Sequence, residues 1–369
     1  MSGSNPSTST KKRIIFVTGS TGRQGRAFVD AVISREDNDL HILALTRNSK
    51  GQKARDIASR YSSHVSVVEG NLDEPDSIRG IFEAQKESGQ DIWGVFCVLA
   101  FPGLGVNATG EEKQGKVRLF ACISEYLLQS KNLDPEMVAD LSLEFGVSHF
   151  VFSSVERGGE DADEIMMDDR LAKIRIEKHV KELGTKGLKW TIIRPGFFME
   201  NYEGFLGAIT FGVLRAGLSH TTTIKLIAVD DIGYIAHGVF KHSPPYEGQI
   251  LIAIGETPTI AQHEEAHQRA TGGRSMSSIP LFVARLLISL NGETKRLIAE
   301  MERAHTFWAN QPPDADCWRQ VAAAKRAHPN MKSFEKWCLS VHKHEREMVP
   351  SREKGWNGVS LWKLLGGKH

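Results

Sequence analysis

Residues 13–25 read RIIFVTGSTGRQG, a β-branched run that enters a glycine-rich turn. Arg13–Thr18 has the make-up of a buried strand, and Gly19, Gly22 and Gly25 stand at GxxGxxG spacing. Glycine there permits a tight turn and lets the backbone approach a pyrophosphate with no Cβ in the way. Thr21, Arg23 and Gln24 fill the turn, and a helix starting near Gln24 would aim free N–H groups and its positive dipole end at the anion. The spacing alone is common. Its position after a strand and before a helix, at the head of a βαβ unit, makes it a dinucleotide signature.

Outward from this loop the alternation continues. Further strands are expected at Leu40–Leu45, His64–Glu69, Ile92–Val98, His149–Ser153 and Lys189–Arg194. Helices are expected near Gln24–Ser34, Lys50–Tyr61 and Glu74–Lys86, along a long segment from Glu111 to Phe145, and at Asp168–Leu183. This order predicts an α/β fold, a doubly wound parallel Rossmann sheet over residues 11–195. Ligands of such sheets bind at the carboxyl ends of the strands, where the strand order reverses. Residues 1–10 are Ser/Thr-rich and read as a disordered lead-in. After Pro195 the pattern changes, and residues 196–369 are expected to form a smaller mixed, mainly helical region for substrate or partner.

The chain has 369 residues, 40% hydrophobic and 25% charged, with a formal net charge of +1. Near-neutrality argues against a protein devoted to nucleic acid. Cys97, Cys122, Cys317 and Cys338 show no CxxC spacing, which fits a reducing compartment. The longest apolar stretch, Ile279–Leu290, is too short to span a bilayer and contains Arg285. A protein of the cytoplasm or nucleus, with no membrane partner and no targeting segment, is the expectation. Residues 320–369 hold ten Lys/Arg against four acids, which reads as a solvated face or as a surface for an acidic partner.

The end of the second strand selects the cofactor. NAD sites place Asp or Glu there for the ribose 2′-hydroxyl. Here the chain reads Leu45-Thr46-Arg47-Asn48, with no carboxylate. Arg47, with Arg23 from the loop, would pair with a 2′-phosphate, because a guanidinium fork matches an oxyanion. NADP is therefore the expected cofactor.

The sequence resembles the NmrA-like family, an atypical branch of the short-chain dehydrogenase/reductases. The resemblance rests on VTGSTGRQGRA (17–27), LTRN (45–48), VEGNLDE (68–74), EEKQGK (111–116), HFVFSSVERGG (149–159), AKIRIEKHV (172–180), IIRPGFFMEN (192–201) and IAVDDIG (227–233), in family order. It implies that Asn71 and Leu72 flank the adenine and that Val98, Leu99 and Ala100 line the way to the nicotinamide. In a reductase of this kind Lys173 would hydrogen-bond the nicotinamide ribose, with Phe197 and Asn201 as candidates beside the ring. Residues 117–136 interrupt the family's pattern. They read as an insertion, either a genuine loop or a short intron translated in frame; a transcript joining Lys116 to Met137 would decide for the intron.

The wider superfamily carries Tyr-x-x-x-Lys, and none of Tyr61, Tyr126, Tyr202, Tyr234 or Tyr246 has lysine four residues on. The lysine is matched by Lys173, whose i−4 neighbour is Asp169. NmrA-like proteins commonly lack the tyrosine, while lysine-only isoflavone-reductase-like relatives still reduce substrates. Catalysis would thus fall to Lys173, holding charge near a developing oxyanion, with Ser153 or Ser154 donating to a carbonyl oxygen. Phe101, Phe197, Phe198, Met199, Asn201 and Tyr202 are candidate walls of an apolar pocket, or core. His263-Glu264-x-x-His267 fits a zinc pattern but lies on an expected surface helix with no third ligand in view, so no metal is expected. Two functions follow. One is an NADPH-dependent oxidoreductase of an apolar carbonyl or enone, placed in a biosynthetic pathway. The other is an NADP(H)-sensing regulator acting on a protein partner.

Overall fold

The computed structural model describes residues 12–99, 135–161, 163 and 168–347. Most of the interruption at 117–136, together with Ala100 and Phe101, lies outside the described residues; Pro135 and Glu136 open a helix.

Seven strands form one parallel sheet in the order β3-β2-β1-β4-β5-β6-β9. They are β1 (Arg13–Val17), β2 (Leu40–Thr46), β3 (Val65–Glu69), β4 (Ile92–Cys97), β5 (His149–Ser153), β6 (Trp190–Pro195) and β9 (Gln249–Ala253). β5 is buried at every position, as a strand covered on both faces must be. Two more strands, β7 (Phe197–Phe198) and β8 (Leu226–Ile227), make a small parallel pair of their own. The chain order reverses between β1 and β4, which opens the crevice at their carboxyl ends.

Helices cover both faces. On one side α1 (Arg23–Ser34), α2 (Gln52–Arg60) and α7 (Val229–Lys241) enclose a core built on Phe28, Phe96 and Phe240. On the other, α3 (Pro75–Glu87), α4 (Pro135–Glu144) and α5 (Asp168–Thr185) enclose Phe16, Phe82, Phe150 and Phe152. α3 begins with Pro75, whose missing N–H is no loss in a first turn. α1 and α7 touch backbone to backbone: a Cβ at Gly233 would sit 2.2 Å from the Ala27 carbonyl oxygen. His237 and Lys241 of α7 also bond Asp37, at the turn into β2.

Beyond Pro195 lie α6 (Gly204–Gly217), α8 (Ile260–Thr271), α9 (Leu281–Leu290), α10 (Gly292–Ala309), α11 (Asp316–Ala327) and α12 (Phe334–Glu347). α8 is framed by a capping box between Thr259 and Gln262 and by Gly272 in the left-handed region (φ 72°). The part after Pro195 does not stay apart from the sheet. β9 extends it beside β6, and Ala323 and Ala324 of α11 join the same core as α1 and α7. A third core, around Met199, Phe211, Leu214 and Phe334, holds α6, α8, α9 and α12 together. No described helix is long and apolar enough to cross a membrane.

Candidate nucleotide site

The site is built at the reversal point. Past β1, Thr18 Oγ1 donates to the Val98 carbonyl and accepts from the Val98 amide, both at 2.8 Å, so the ends of β1 and β4 are locked. Gly19 then turns the chain with φ 60°, and a Cβ there would lie 2.8 Å from the Val98 oxygen. Ser20 donates to the Leu45 carbonyl at 2.6 Å, fixing the turn to β2. The Gly22 amide closes it on the Gly19 carbonyl at 2.9 Å. A Cβ at Gly25 would come within 2.4 Å of that same oxygen, so α1 can start this close to the turn only with glycine there. No side chain caps α1 and no acid stands in its first turn. The result is an anion cradle of backbone N–H groups beside Thr21.

At the far end of the crevice Arg47 and Asn48 are exposed just beyond β2. The nearby carboxylate of Glu69 is held by the Ser49 hydroxyl and, at 2.9 Å, the Ser49 amide; these bonds hold it below the ordinary carboxylate range. It is therefore engaged at Ser49. Asn71 shapes its own turn, donating to Glu74 at 3.1 Å and accepting from the Asp73 amide at 3.2 Å. Leu72 and Leu99 lie half-buried against the core that holds Phe16 and Phe82, and Val98 is buried.

The opposite end gathers residues from four segments. Ser153, at the tip of β5, donates to Gln24 Oε1 at 2.6 Å and so ties the strand to α1. Lys173 of α5 donates to the Ser154 carbonyl at 3.1 Å. Phe197 donates its amide to the Lys225 carbonyl at 2.7 Å, with its ring 5.7 Å from that of Tyr202. Asn201 is exposed on the short 3₁₀ turn Met199–Tyr202. Arg23, expected on the 2′-phosphate with Arg47, pairs at 2.9 Å with Glu203, just before α6.

Tyr202 does not stand in for the missing tyrosine. Its hydroxyl lies 3.3 Å from His263 Nε2, while His263 Nδ1 lies 2.8 Å from the Thr259 carbonyl. That carbonyl needs a proton on Nδ1, so Nε2 accepts and the Tyr202 hydroxyl donates inward. Burial pushes the imidazole down to about 4, consistent with a neutral ring. Of the rest of the zinc-like run, Glu264 accepts the Met276 amide at 3.0 Å and His267 Nδ1 bonds the Arg274 carbonyl at 2.9 Å. Among the described residues no group of three or more His, Cys, Asp or Glu is placed to hold a metal ion.

Two features escaped the sequence reading. Glu200 accepts the Val229 amide at 3.0 Å, capping α7, and the Trp337 indole at 3.2 Å. Its other oxygen is buried without a hydrogen-bond partner among the described residues, and burial pushes the carboxyl up to about 7. The second is a buried charge network. Arg157 bonds Asp163 at 2.6 Å and Glu177 at 3.1 Å, and Arg194 bonds the same Glu177 at 3.0 Å. Burial alone would raise the Glu177 carboxyl; the hydrogen bond from Arg194 and the two guanidinium charges override it and hold the group below its usual range. An arginine near the end of a buried strand, Arg194 in WTIIRP, is the one sign of it in the sequence.

Known proteins share this build. The sequence pattern of the NmrA-like family matches residues 10–303. The chain is 25% identical over 280 residues to the NmrA-like family domain-containing oxidoreductase FrzB of Cladobotryum sp, covering 70% of this chain and 74% of that protein. Over 281 residues it is 25% identical to the oxidoreductase malD of Malbranchea aurantiaca, covering 72% and 75%. Among solved structures it is similar to NmrA, a negative transcriptional regulator in complex with NADP, at TM-score 0.56 and 16% identity, covering 92% of this chain and 99% of that one. The triphenylmethane reductase of Citrobacter sp., complexed with NADP(H), matches at TM-score 0.56 and 13% identity, covering 89% and 99%. These structural likenesses speak for the fold, and the sequence match, spanning most of the length, decides the family. The chain belongs to the NmrA-like family.

Proposed function

We propose that this protein binds NADP(H) in the crevice between β1 and β4 and reduces an apolar carbonyl or enone. The observation that carries the reading is the pairing of the glycine cradle at Gly19–Gly25 with the Lys173 amine at the carboxyl end of β5. The residues fit the cofactor. A Cβ at Gly19 or Gly25 would strike backbone and force the turn open, and Arg47 stands exposed with the nearby Glu69 occupied by Ser49. When bound, the reduced nicotinamide supplies the hydride.

The chain's own groups do the rest. The turn amides and the start of α1 hold the pyrophosphate, and Arg47 with Asn48 holds the 2′-phosphate end. Asn71 and Leu72 flank the adenine, and Val98 and Leu99 lead toward the reacting end. Lys173 grips the nicotinamide ribose and keeps positive charge by the oxygen that gains electron density. Ser153 holds Gln24, keeping the tip of β5 against the phosphate loop. Phe197 and Asn201 form the wall on the other side, with an apolar face suited to a quinone or enone. Similar curated relatives carry oxidoreductase names, and one structural neighbour is an NADPH-dependent quinone oxidoreductase of Escherichia coli.

The test follows NADPH consumption with a panel of quinones, enones and ketones. Turnover by the wild type, falling about 10²–10⁴-fold in Lys173→Ala, supports the reading. The inward Tyr202 hydroxyl keeps a second reading in play, that of an NADP(H) sensor without turnover. No consumption with any substrate, together with a preference of roughly 30-fold or more for one redox form, would replace the enzyme by the sensor.

A further inference from the structure

Lys173 shares its face of α5 with charged residues one turn before it and one turn after it. Arg170, Lys173 and Glu177 are spaced i, i+3 and i+7 along α5, so they share one side of the helix. Each neighbour of Lys173 is held by a different part of the fold. One turn before it, Arg170 pairs with Glu300 of α10 at 2.6 Å, and Glu300 is only 8% exposed. One turn after it, Glu177 is 1% exposed and lies between Arg157, beyond β5, and Arg194, at the end of β6. Arg303 of α10 completes the arrangement by donating to the Gly158 carbonyl at 3.0 Å and to the Arg157 carbonyl.

Stability is a poor reason for such a set. Taking charges out of water costs several kcal/mol each, and apolar side chains of like volume often hold a fold equally well or better. What charges supply and apolar contacts do not is a fixed register, because a carboxylate between two guanidinium forks has few acceptable positions. A helix sliding by a fraction of a turn would break bonds on both sides of Lys173 at once.

We propose that the Arg157–Glu177–Arg194 cluster and the Arg170–Glu300 pair are positioning residues for Lys173, setting the reach of its amine to the nicotinamide ribose. This rests on the reading that Lys173 acts on the bound cofactor. The cluster acts through the helix and touches neither cofactor nor substrate. Apolar contacts alone, from Ile176, Val180 and Leu183 on the adjacent side of α5, would keep the helix in place without fixing its height.

The experiment compares two ligands by calorimetry: NADPH, and 2′,5′-ADP, which carries the adenosine half and lacks the nicotinamide ribose. The variants are Arg170→Met, the double variant Glu177→Gln/Arg194→Met, and each of these combined with Lys173→Ala. The double variant leaves Arg157 on Asp163, so it avoids an unpaired buried charge, and Arg170→Met touches only the outer pair should the inner one fail to fold. Expected is a loss of NADPH affinity of roughly tenfold with 2′,5′-ADP binding unchanged, absent in the Lys173→Ala background because coupled residues are not additive. Arg170→Lys should restore most of it. An NADPH loss that persists without Lys173, or an equal loss for both ligands, overturns the proposal, as does no change in a folded variant. Should Lys173→Ala by itself leave NADPH binding untouched, the reading of Lys173 falls and the proposal with it; if only the network variants are silent, the reading stands and the proposal alone is wrong.

Discussion

Arg47 and Glu200 show what single side chains decide here. Arg47 is exposed beyond β2, and with Glu69 engaged by Ser49 it is the group expected to distinguish the two cofactors. Arg47→Ala is expected to weaken NADPH by roughly 10–100-fold, matching about 1.5–3 kcal/mol for a charged hydrogen bond, while NADH is unaffected. Titration of both cofactors measures it, and equal losses would take the 2′-phosphate away from Arg47. Glu200 makes a pH prediction. Its folded value of about 7 lies above the 4.5 of an unburied glutamate, so its contribution to stability is present below pH 4.5 and lost as pH rises through 7. Glu200→Gln keeps an oxygen for the Val229 amide and the Trp337 indole. It should therefore melt above the wild type at pH 8, with the gap closing below pH 5. The cradle glycines were legible in the sequence because their spacing encodes a backbone requirement. Glu200 and Glu177 were not, because their partners lie 29 and 137, and 17 and 20, residues away and only the fold brings them together.

At the scale of elements, the contact of α1 with α7 carries the most risk. The backbones meet at Gly233, so Gly233→Val must push the helices apart or bend one of them. A cost of roughly 1–3 kcal/mol or more is expected, read as a lower denaturation midpoint with unchanged slope. An unchanged midpoint would mean that the helices can separate freely. The strands β1 to β6 could be read from β-branched runs, and the helices between them from their periodicity. Most bounds moved by a residue or two; β6, expected at Lys189–Arg194, runs Trp190–Pro195, whereas of the long helix expected over Glu111–Phe145 the described residues hold Pro135–Glu144. The position of β9 was not readable. A short apolar run such as QILIA announces a strand but not its neighbour, and only the register Ile193 against Leu251 shows that it extends the first sheet.

The molecule as a whole is closed by segments that lie outside the family match at 10–303. The stretch between α11 and α12 is fastened to α7: His328 bonds Asp231 at 3.0 Å, the Lys332 amide bonds it at 2.8 Å, and the Lys332 amine pairs with Asp230 at 2.6 Å. A chain ending at Ala309 loses these bonds and the cover that Ala323 and Ala324 give the sheet. Its melting temperature is expected to fall by several degrees, since each 1 kcal/mol is worth about 2–4 °C for domains of 150–250 residues. An unchanged melt would show the closing helices to be dispensable. The seam between α1 and α7 also has a history. Its two sides are some 200 residues apart, as the bond from His237 to Asp37 marks. At about 5–20 residues per second, the ribosome needs roughly 10–40 s to make the second side after the first. For that interval Phe28 can meet Phe96 of the sheet, 5.2 Å away ring to ring, but not Phe240 of α7, so only part of the apolar flank of α1 is covered. The helix that opens the nucleotide crevice thus waits for its backbone-to-backbone partner until more than half of the chain has been made.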